Sequence, residues 1–407
     1  MRVFGRLVVI LVITGAGGLW AVVAMAGGLF AGGPSKAKRF GCRALVHTLQ
    51  ALGPTFVKFA QTSSTRRDTL PPALADELQR LHDTVRPMSR RRAGKALREA
   101  GIDAFAEVGT VPTASGSIAC VYRGVLTDGR VVAVKLKRPG IGPRMRADLE
   151  LLQRAVRTMQ RMPRMRGMPM ADLVGYVGQA ILGQLDFARE ARNIQRLRDC
   201  LAPMPQIRVP AVFPELCTPN CLIFEYLSRL DTATPDALPA DVRQHLAGRV
   251  LQAAAKMMFS DGFVHCDPHP GNIYLTRDQR VVILDAGYCV QLPDRVRDLI
   301  GEFFGCLARG DGERCGEIVL ESAVDATTVQ REAFVADMAA VVGELAGEAG
   351  FDMKVFGDEV FRLQQKHGIY ARSEFAFPLM AMNTLDGTVR RLADGVDFRR
   401  VGVTSSA

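Results

Sequence analysis

Residues 7–33 run for 27 positions without a charge. Roughly 20 helical residues cross the hydrocarbon core of a bilayer, so the pattern predicts one membrane span within residues 1–35. Its seven glycines lower local helix propensity, although glycine is commoner in membrane helices than in soluble ones. A cleaved signal peptide is the competing reading, because Arg2 and Arg6 precede the run and Ala24-Met25-Ala26 resembles a cleavage site. Lys36, Lys38, Arg39 and Arg43 follow the run and outnumber Arg2 and Arg6, which favours a cytoplasmic body.

Residues 36–105 read as a helical extension. Leu74, Leu78 and Leu81 fall on one helix face, with Pro71 and Pro72 where such a helix would start. From about 107 to 136 the period shortens to β-rich runs, Cys120-Val121-Tyr122 and Val131-Val132-Ala133-Val134. Thr127-Asp128-Gly129-Arg130 lies between them, and its Asp-Gly pair is a hairpin signal. A mostly helical stretch follows to Leu201, then strands near 207–212 and 221–226, helices over 242–260, a buried strand at 281–284, and helices beyond Pro293. Strands first and helices after predict a two-lobed α+β fold: a smaller lobe over 106–230 with a helical insertion, and a larger one over 231–407.

Composition adds bounds. A chain of 407 residues, 48% hydrophobic and 23% charged, is ordered and has a sizeable core. The formal charge of +10 owes much to Arg144, Arg146, Arg154, Arg157, Arg161, Arg164 and Arg166, either a solvated helix face or a patch for anionic lipid or phosphate. Aromatic residues are few and no recognition module is visible, so nucleic acid is not an expected partner. Nine scattered cysteines suggest reduced thiols, since Cys217 and Cys221 have no second pair to complete a zinc site. His265 and His269 flank Asp267 among prolines and a glycine, which suits a tight catalytic loop better than a metal cluster.

The parts a kinase needs for phosphoryl transfer from ATP can all be placed. Small residues in Ala114-Ser115-Gly116-Ser117-Ile118-Ala119-Cys120-Val121 recur at the spacing of a phosphate-covering loop, with alanine at two of three glycine positions. Such a run is also what an ordinary turn before a strand looks like. Lys135 closes Val132-Ala133-Val134-Lys135 on the second hairpin strand, where kinases place the lysine that meets phosphates. Asn272 comes five positions after Asp267 in His265-Cys266-Asp267-Pro268-His269-Pro270-Gly271-Asn272, the spacing of catalytic aspartate and metal-binding asparagine in kinases. Asp285 ends an apolar strand with Gly287 two residues on. Glu190, on a helix one turn beyond Asp186, is the candidate acid for Lys135.

Beyond the span, these segments resemble the UbiB or AarF (ADCK-like) atypical kinase family. The hallmark Lys-x-Gly-Gln of that family is similar to Lys58-Phe59-Ala60-Gln61, its alanine-rich loop to residues 114–121, its Glu-x-Asp to Gln184-Leu185-Asp186, and its Leu-Glu-Gly-Thr to Leu385-Asp386-Gly387-Thr388. Three residues depart from the pattern: Ala60 for glycine, Gln184 for the first acid, and Ala286 for phenylalanine.

The resemblance implies a protein-kinase-like fold and an ATP- and Mg-binding site. Ala114, Ser115, Gly116, Ser117, Ile118, Ala119 and Val121 would cover the phosphates, Lys135 contact them, and Glu190 orient Lys135. Asn272 and Asp285 would hold metal, and Asp267 position the acceptor or a water. The backbone at Glu225 and Leu227 would meet adenine, while Lys58 and Gln61 would lie over the site and meet Asp186. It further implies isoprenoid-lipid or quinone metabolism at a membrane. Three activities stay open: a lipid-stimulated ATPase, a phosphotransferase, and an ATP-binding lipid scaffold without turnover.

Overall fold

A computed structural model of the chain describes residues 2–64, 87–162, 170–227, 237–268, 271–323, 325–327, 329–346, 351–369 and 371–393, with Leu74 and Glu77. The chain divides into two compact units, Met1–Arg189 with Phe213–Phe224, and Glu190–Val212 with Glu225–Ala407.

In the first unit the apolar run is helical, as its pattern predicts, and α1 (Arg2–Leu52) is long and apolar enough to cross a membrane. It is not one rod. Gly32 and Gly33 leave the helical conformation, Gly33 at φ 80°, and Pro34 begins a second limb. The two limbs run antiparallel: Trp20 meets His47 edge to face at 5.5 Å, and Gly28 passes so close to Ala37 that a Cβ on it would stand 2.7 Å from the Ala37 Cα. Helix α2 (Pro54–Ser64) follows. Leu74 is helical and packs against Val46 and Ala60, while Leu78, Leu81, Pro71 and Pro72 lie outside the described residues.

Helix α3 (Arg90–Ala100) covers an antiparallel sheet. Strands β1 (Phe105–Val108), β3 (Ala119–Leu126), β4 (Val131–Lys137) and β6 (Cys221–Glu225) lie in that order, and the short β2 (Ala114–Ser115) pairs with β3. The Asp-Gly signal is a real hairpin turn: Gly129 takes φ 84° and Asp128 accepts the Arg130 amide. Alternate residues of β3 and β4, among them Tyr122, Val132, Val134 and Leu136, join Ala96 and Ala100 of α3 in one core. Each such valine or leucine contributes about 1.5–3 kcal/mol on burial. Helices α4 (Ile141–Met159) and α5 (Met170–Gly183) then pack on each other and on α2.

In the second unit, α6 (Phe187–Leu201), which starts in the first, leads to β5 (Ile207–Arg208). The strand expected over 207–212 is thus only two residues long, because Arg208 and Ala211 turn their groups to Glu225. Helix α7 (Ala240–Ala255) ends in a wide turn over Lys256–Ser260, closed by a Lys256–Asp261 ion pair of 2.7 Å. Strand β7 (Phe263–His265) pairs with β10 (Cys289–Gln291), and β9 (Val281–Ile283) runs between β8 (Ile273–Leu275) and β5. Helices α8 (Asp294–Arg309), α9 (Gly312–Glu321), α10 (Arg331–Ala346), α11 (Met353–His367) and α12 (Ser373–Leu392) complete it, with α12 against α7, α8 and β7.

Candidate active site

Ser115 lies opposite Cys120 in the β2–β3 ladder, so residues 116–119 form a hairpin tip, closed by the Gly116 amide bonding the Ala119 carbonyl at 2.9 Å. Ser117 and Ile118 stand at that tip. The expected small-residue loop is therefore a tight turn, exposed at Gly116 and buried at Ile118 and Ala119. Arg138, which sequence reasoning missed, grips it: its Nε donates to the Gly116 carbonyl at 2.9 Å, its Nη2 to Ser115 Oγ at 3.1 Å, and its amide to the Ile118 carbonyl. The only signal was a cation three positions beyond Lys135.

Lys135 lies directly across the ladder from Val121. Strand alternation puts Lys135 and Lys137 on one face, and both ammonium groups sit over the buried ring of Phe187, at 5.7 and 4.7 Å from its centroid. Phe187 is the first residue of α6, and Asp186 caps that helix by accepting the Arg189 amide at 3.0 Å. Asp186 is exposed, whereas Gln184 beside it is partly buried, and its Nε2 has no hydrogen-bond partner among the described residues. Lys58 lies half-buried on α2. Gln61 lies on the same helix, with only its backbone described.

The second unit brings the other residues together. β7 delivers buried His265 to the end of the sheet, where its Nε2 lies 2.6 Å from the Asp285 carbonyl and its Nδ1 accepts the Asp267 amide at 3.2 Å. One imidazole thus ties the Asp267 loop to the Asp285 turn. Asn272 donates its Nδ2 to the Asp267 carbonyl at 2.9 Å, and its own carbonyl accepts from Leu284, the residue before Asp285. Asp285 Oδ1 accepts the Gly287 amide at 2.8 Å. A Cβ on Gly287 would lie 3.1 Å from that oxygen and 3.7 Å from Glu190 Oε2, so the glycine leaves room for two carboxylates to converge. Glu190 is only 2% exposed. Ala286 is fully buried, its carbonyl taken by Asn193 of α6 at 2.9 Å. His269 lies outside the described residues.

Electrostatics sort the neighbours. Burial, and then the Asp285 charge, push the Tyr274 phenol up, and its hydroxyl donates to the Gly271 carbonyl at 2.8 Å. Burial, and then Asp267, push the Cys266 thiol up. The nine cysteines form no disulfide among the described residues. At the expected hinge, Glu225 is ion-paired to Arg208 at 2.5 Å and its amide bonds the Ala211 carbonyl, while Leu227 follows the end of β6 half-buried. Two further contacts were not expected: Thr388 of α12 donates to the Pro268 carbonyl at 2.8 Å, and Leu385 with His265 and Pro268 lines an apolar cavity of about 30 Å³.

Residues 80–319 match the ABC1 atypical kinase-like domain. The chain belongs to the ABC1 atypical kinase-like family. The chain is 32% identical over 287 residues to a probable protein kinase UbiB of Klebsiella pneumoniae, covering 67% of this chain and 53% of the relative. It is 29% identical over 365 residues to an uncharacterized protein of Synechocystis, covering 86% of this chain and 64% of that protein. The chain therefore spans about half to two thirds of the length of these relatives. A solved structure of Rv3197 from Mycobacterium tuberculosis, in complex with erythromycin, has the same overall fold at 19% identity. Its TM-score is 0.58, and the match covers 84% of this chain and 89% of that one. This ABC1 protein thus has the kinase-like fold that its sequence predicts.

Proposed function

We propose that this chain binds ATP with Mg and acts as an atypical kinase or ATPase of the UbiB type, at a membrane and in isoprenoid-lipid or quinone metabolism. The observation that carries the reading is the imidazole of His265, which holds the Asp267 loop and the Asp285 turn in one geometry. Phosphoryl transfer asks for such fixed positions, because its catalysis is mostly placement and charge stabilisation.

Asn272 and Asp285 suit Mg. Both offer hard oxygen donors, and the bond from the Asn272 amide nitrogen to the Asp267 carbonyl orients its oxygen for the ligand role. When bound, Mg neutralises charge on the phosphates. Asp267 orients the acceptor hydroxyl or water and takes up its proton. Lys135 meets the phosphates, Glu190 supplies the acid for that lysine, residues 114–121 cover the nucleotide, and the backbone at Glu225 and Leu227 receives adenine. Lys58, Gln61 and Asp186 form the family's regulatory segment, and α1 attaches the protein to the membrane.

The alternative, an ATP-binding lipid scaffold without turnover, draws support from Gln184, whose Nε2 is buried without a partner where the family has an acid. Turnover of ATP by the purified full chain, with and without lipid, separates the readings. Phosphate release without a labelled product indicates an ATPase, a labelled product a phosphotransferase, and binding without turnover the scaffold.

A further inference from the structure

The reversal at Gly32–Gly33 gives α1 two unlike sides. On the first limb Gly17, Ala21, Ala24 and Gly28 form a stripe of small residues, a pattern that lets helices approach closely. The second limb answers with Ala37, Gly41, Ala44 and Thr48. The contacts are tight: a Cβ on Gly17 would overlap Thr48, and one on Gly41 would stand 3.0 Å from the Met25 thioether. The opposite side of the first limb is an exposed apolar face that includes Leu11, Val12, Leu19, Val22, Val23 and Phe30, the last 95% exposed. The second limb turns Lys36, Lys38, Arg39 and Arg43 to solvent.

The near end of the first limb is fastened. Arg6 forms a two-pronged ion pair with Asp148 of α4, at 2.5 and 3.0 Å, and donates to the Leu52 carbonyl at 2.6 Å. Thr55 of α2 donates to the same carboxylate at 2.7 Å, and Asp148 is 0% exposed. Both ends of the hairpin therefore meet α2 and α4.

Three placements in a bilayer can be compared. A through-going span separates the two limbs, breaks the Arg6 pair and leaves the fully buried Asp148 carboxylate with only the Thr55 hydroxyl and the neighbouring Arg144 charge, and removing one member of a buried pair is costly. Insertion tip first carries Lys36, Lys38, Arg39 and Arg43 into hydrocarbon, which is costly for each cation. Lying flat puts the apolar face against the acyl chains and the cations among anionic headgroups, as interfacial helices do, and breaks no contact.

We propose that the N-terminal helix is the apolar half of a hairpin that lies in one leaflet of an anionic membrane, with both ends on the side that carries α2 and α4. This rests on the membrane attachment proposed above and specifies its topology.

The chain has a single tryptophan, Trp20, at the midpoint of residues 7–33. A span would put it at the bilayer centre, and a flat hairpin near the headgroups, beside His47. The test uses the full chain reconstituted in phosphatidylcholine–phosphatidylglycerol vesicles containing lipids brominated at shallow or deep acyl positions, read by Trp20 fluorescence. The proposal expects shallow bromines to quench at least twice as well as deep ones. Strongest quenching by the deepest bromines would overturn it in favour of a span and leave membrane attachment intact. Absence of quenching at every depth would remove the attachment too, and a cross-link to a second copy in that case would assign the apolar face to that copy. The basic layer is tested separately by a Lys36→Gln, Lys38→Gln, Arg39→Gln variant, which should partition into anionic vesicles roughly a hundredfold more weakly. Equal partitioning would contradict the flat placement.

Discussion

The imidazole of His265 lies 2.6 Å from the backbone carbonyl of Asp285, twenty residues further along the chain. Because its other nitrogen accepts the Asp267 amide, the ring fixes the distance between two loops that the proposed reaction needs together. His265→Ala should take one hydrogen-bond partner from that carbonyl and from that amide in a half-buried place. A loss of about 2–4 kcal/mol in denaturant unfolding is expected. Turnover should fall at least about tenfold, the equivalent of 1.4 kcal/mol in the barrier, while ATP affinity changes little. Unaltered turnover in a folded variant would show that the ring is only packing.

Thr388 is 2% exposed and donates to the Pro268 carbonyl from a helix 120 residues later in the chain. Thr388→Val keeps the shape and removes the donor, which should cost about 1–3 kcal/mol because the carbonyl is left unsatisfied. Thr388→Ser should recover most of it. Both are measured by equilibrium unfolding, and equal stability of Val and Ser variants would remove Thr388 from the support of the Asp267 loop.

Asp386 shows burial prevailing over pairing. Desolvation raises its carboxyl above the ordinary aspartate value although Arg390 bonds it at 2.8 Å, and its Oδ1 has no hydrogen-bond partner among the described residues. A raised acid binds its proton more tightly in the folded state. The folded protein therefore loses stability as pH rises from the ordinary aspartate range, about 4, through the raised value, and the loss persists above it. Asp386→Asn should remove this slope, so that its stability relative to the parent is better at pH 7 than at acid pH. Unfolding curves across that range would refute the account if the difference were independent of pH.

Truncation carries a cost that the sequence hides. Since the proposed ATP-site residues all lie beyond residue 33, removing residues 1–33 looks harmless to them. The Arg6–Asp148 pair argues otherwise, because the truncated chain keeps a fully buried aspartate that has lost its ion-pair partner and retains only the neighbouring Arg144 charge. Arg6→Ala should destabilise the protein by about 3–5 kcal/mol. Adding Asp148→Asn should recover part of that loss. Additive effects in the double variant would show that the two side chains are not coupled.

What was legible depended on the range of the interactions. The Asp128-Gly129 turn follows from glycine's access to positive φ, and the five-residue step from Asp267 to Asn272 is set within one loop, so both could be read locally. The alternation in β3 and β4 exposed the core face in the same way. The reversal at Gly32–Gly33 was not legible, because the length of an apolar run says nothing of its neighbour, although the matching small-residue stripes were a signal. Asp186 turned out to cap α6, a local role that a reading focused on charge partners passes over. The grip of Arg138 on Gly116 and the reach of Thr388 to Pro268 join positions brought together only by the fold.

In the proposed site Asn272 and Asp285 hold Mg on the nucleotide, with Asp267 facing the acceptor. The most direct measurement is calorimetric titration of ATP into the full chain with and without Mg, for the parent and for Asp285→Asn. A neutral amide is a poorer ligand for a hard divalent ion beside phosphate. The account predicts that Mg strengthens binding in the parent at least tenfold, the equivalent of about 1.4 kcal/mol, and that this gain disappears in the variant. An Mg-dependent affinity equal in both proteins, or no binding of ATP by the parent, would contradict it.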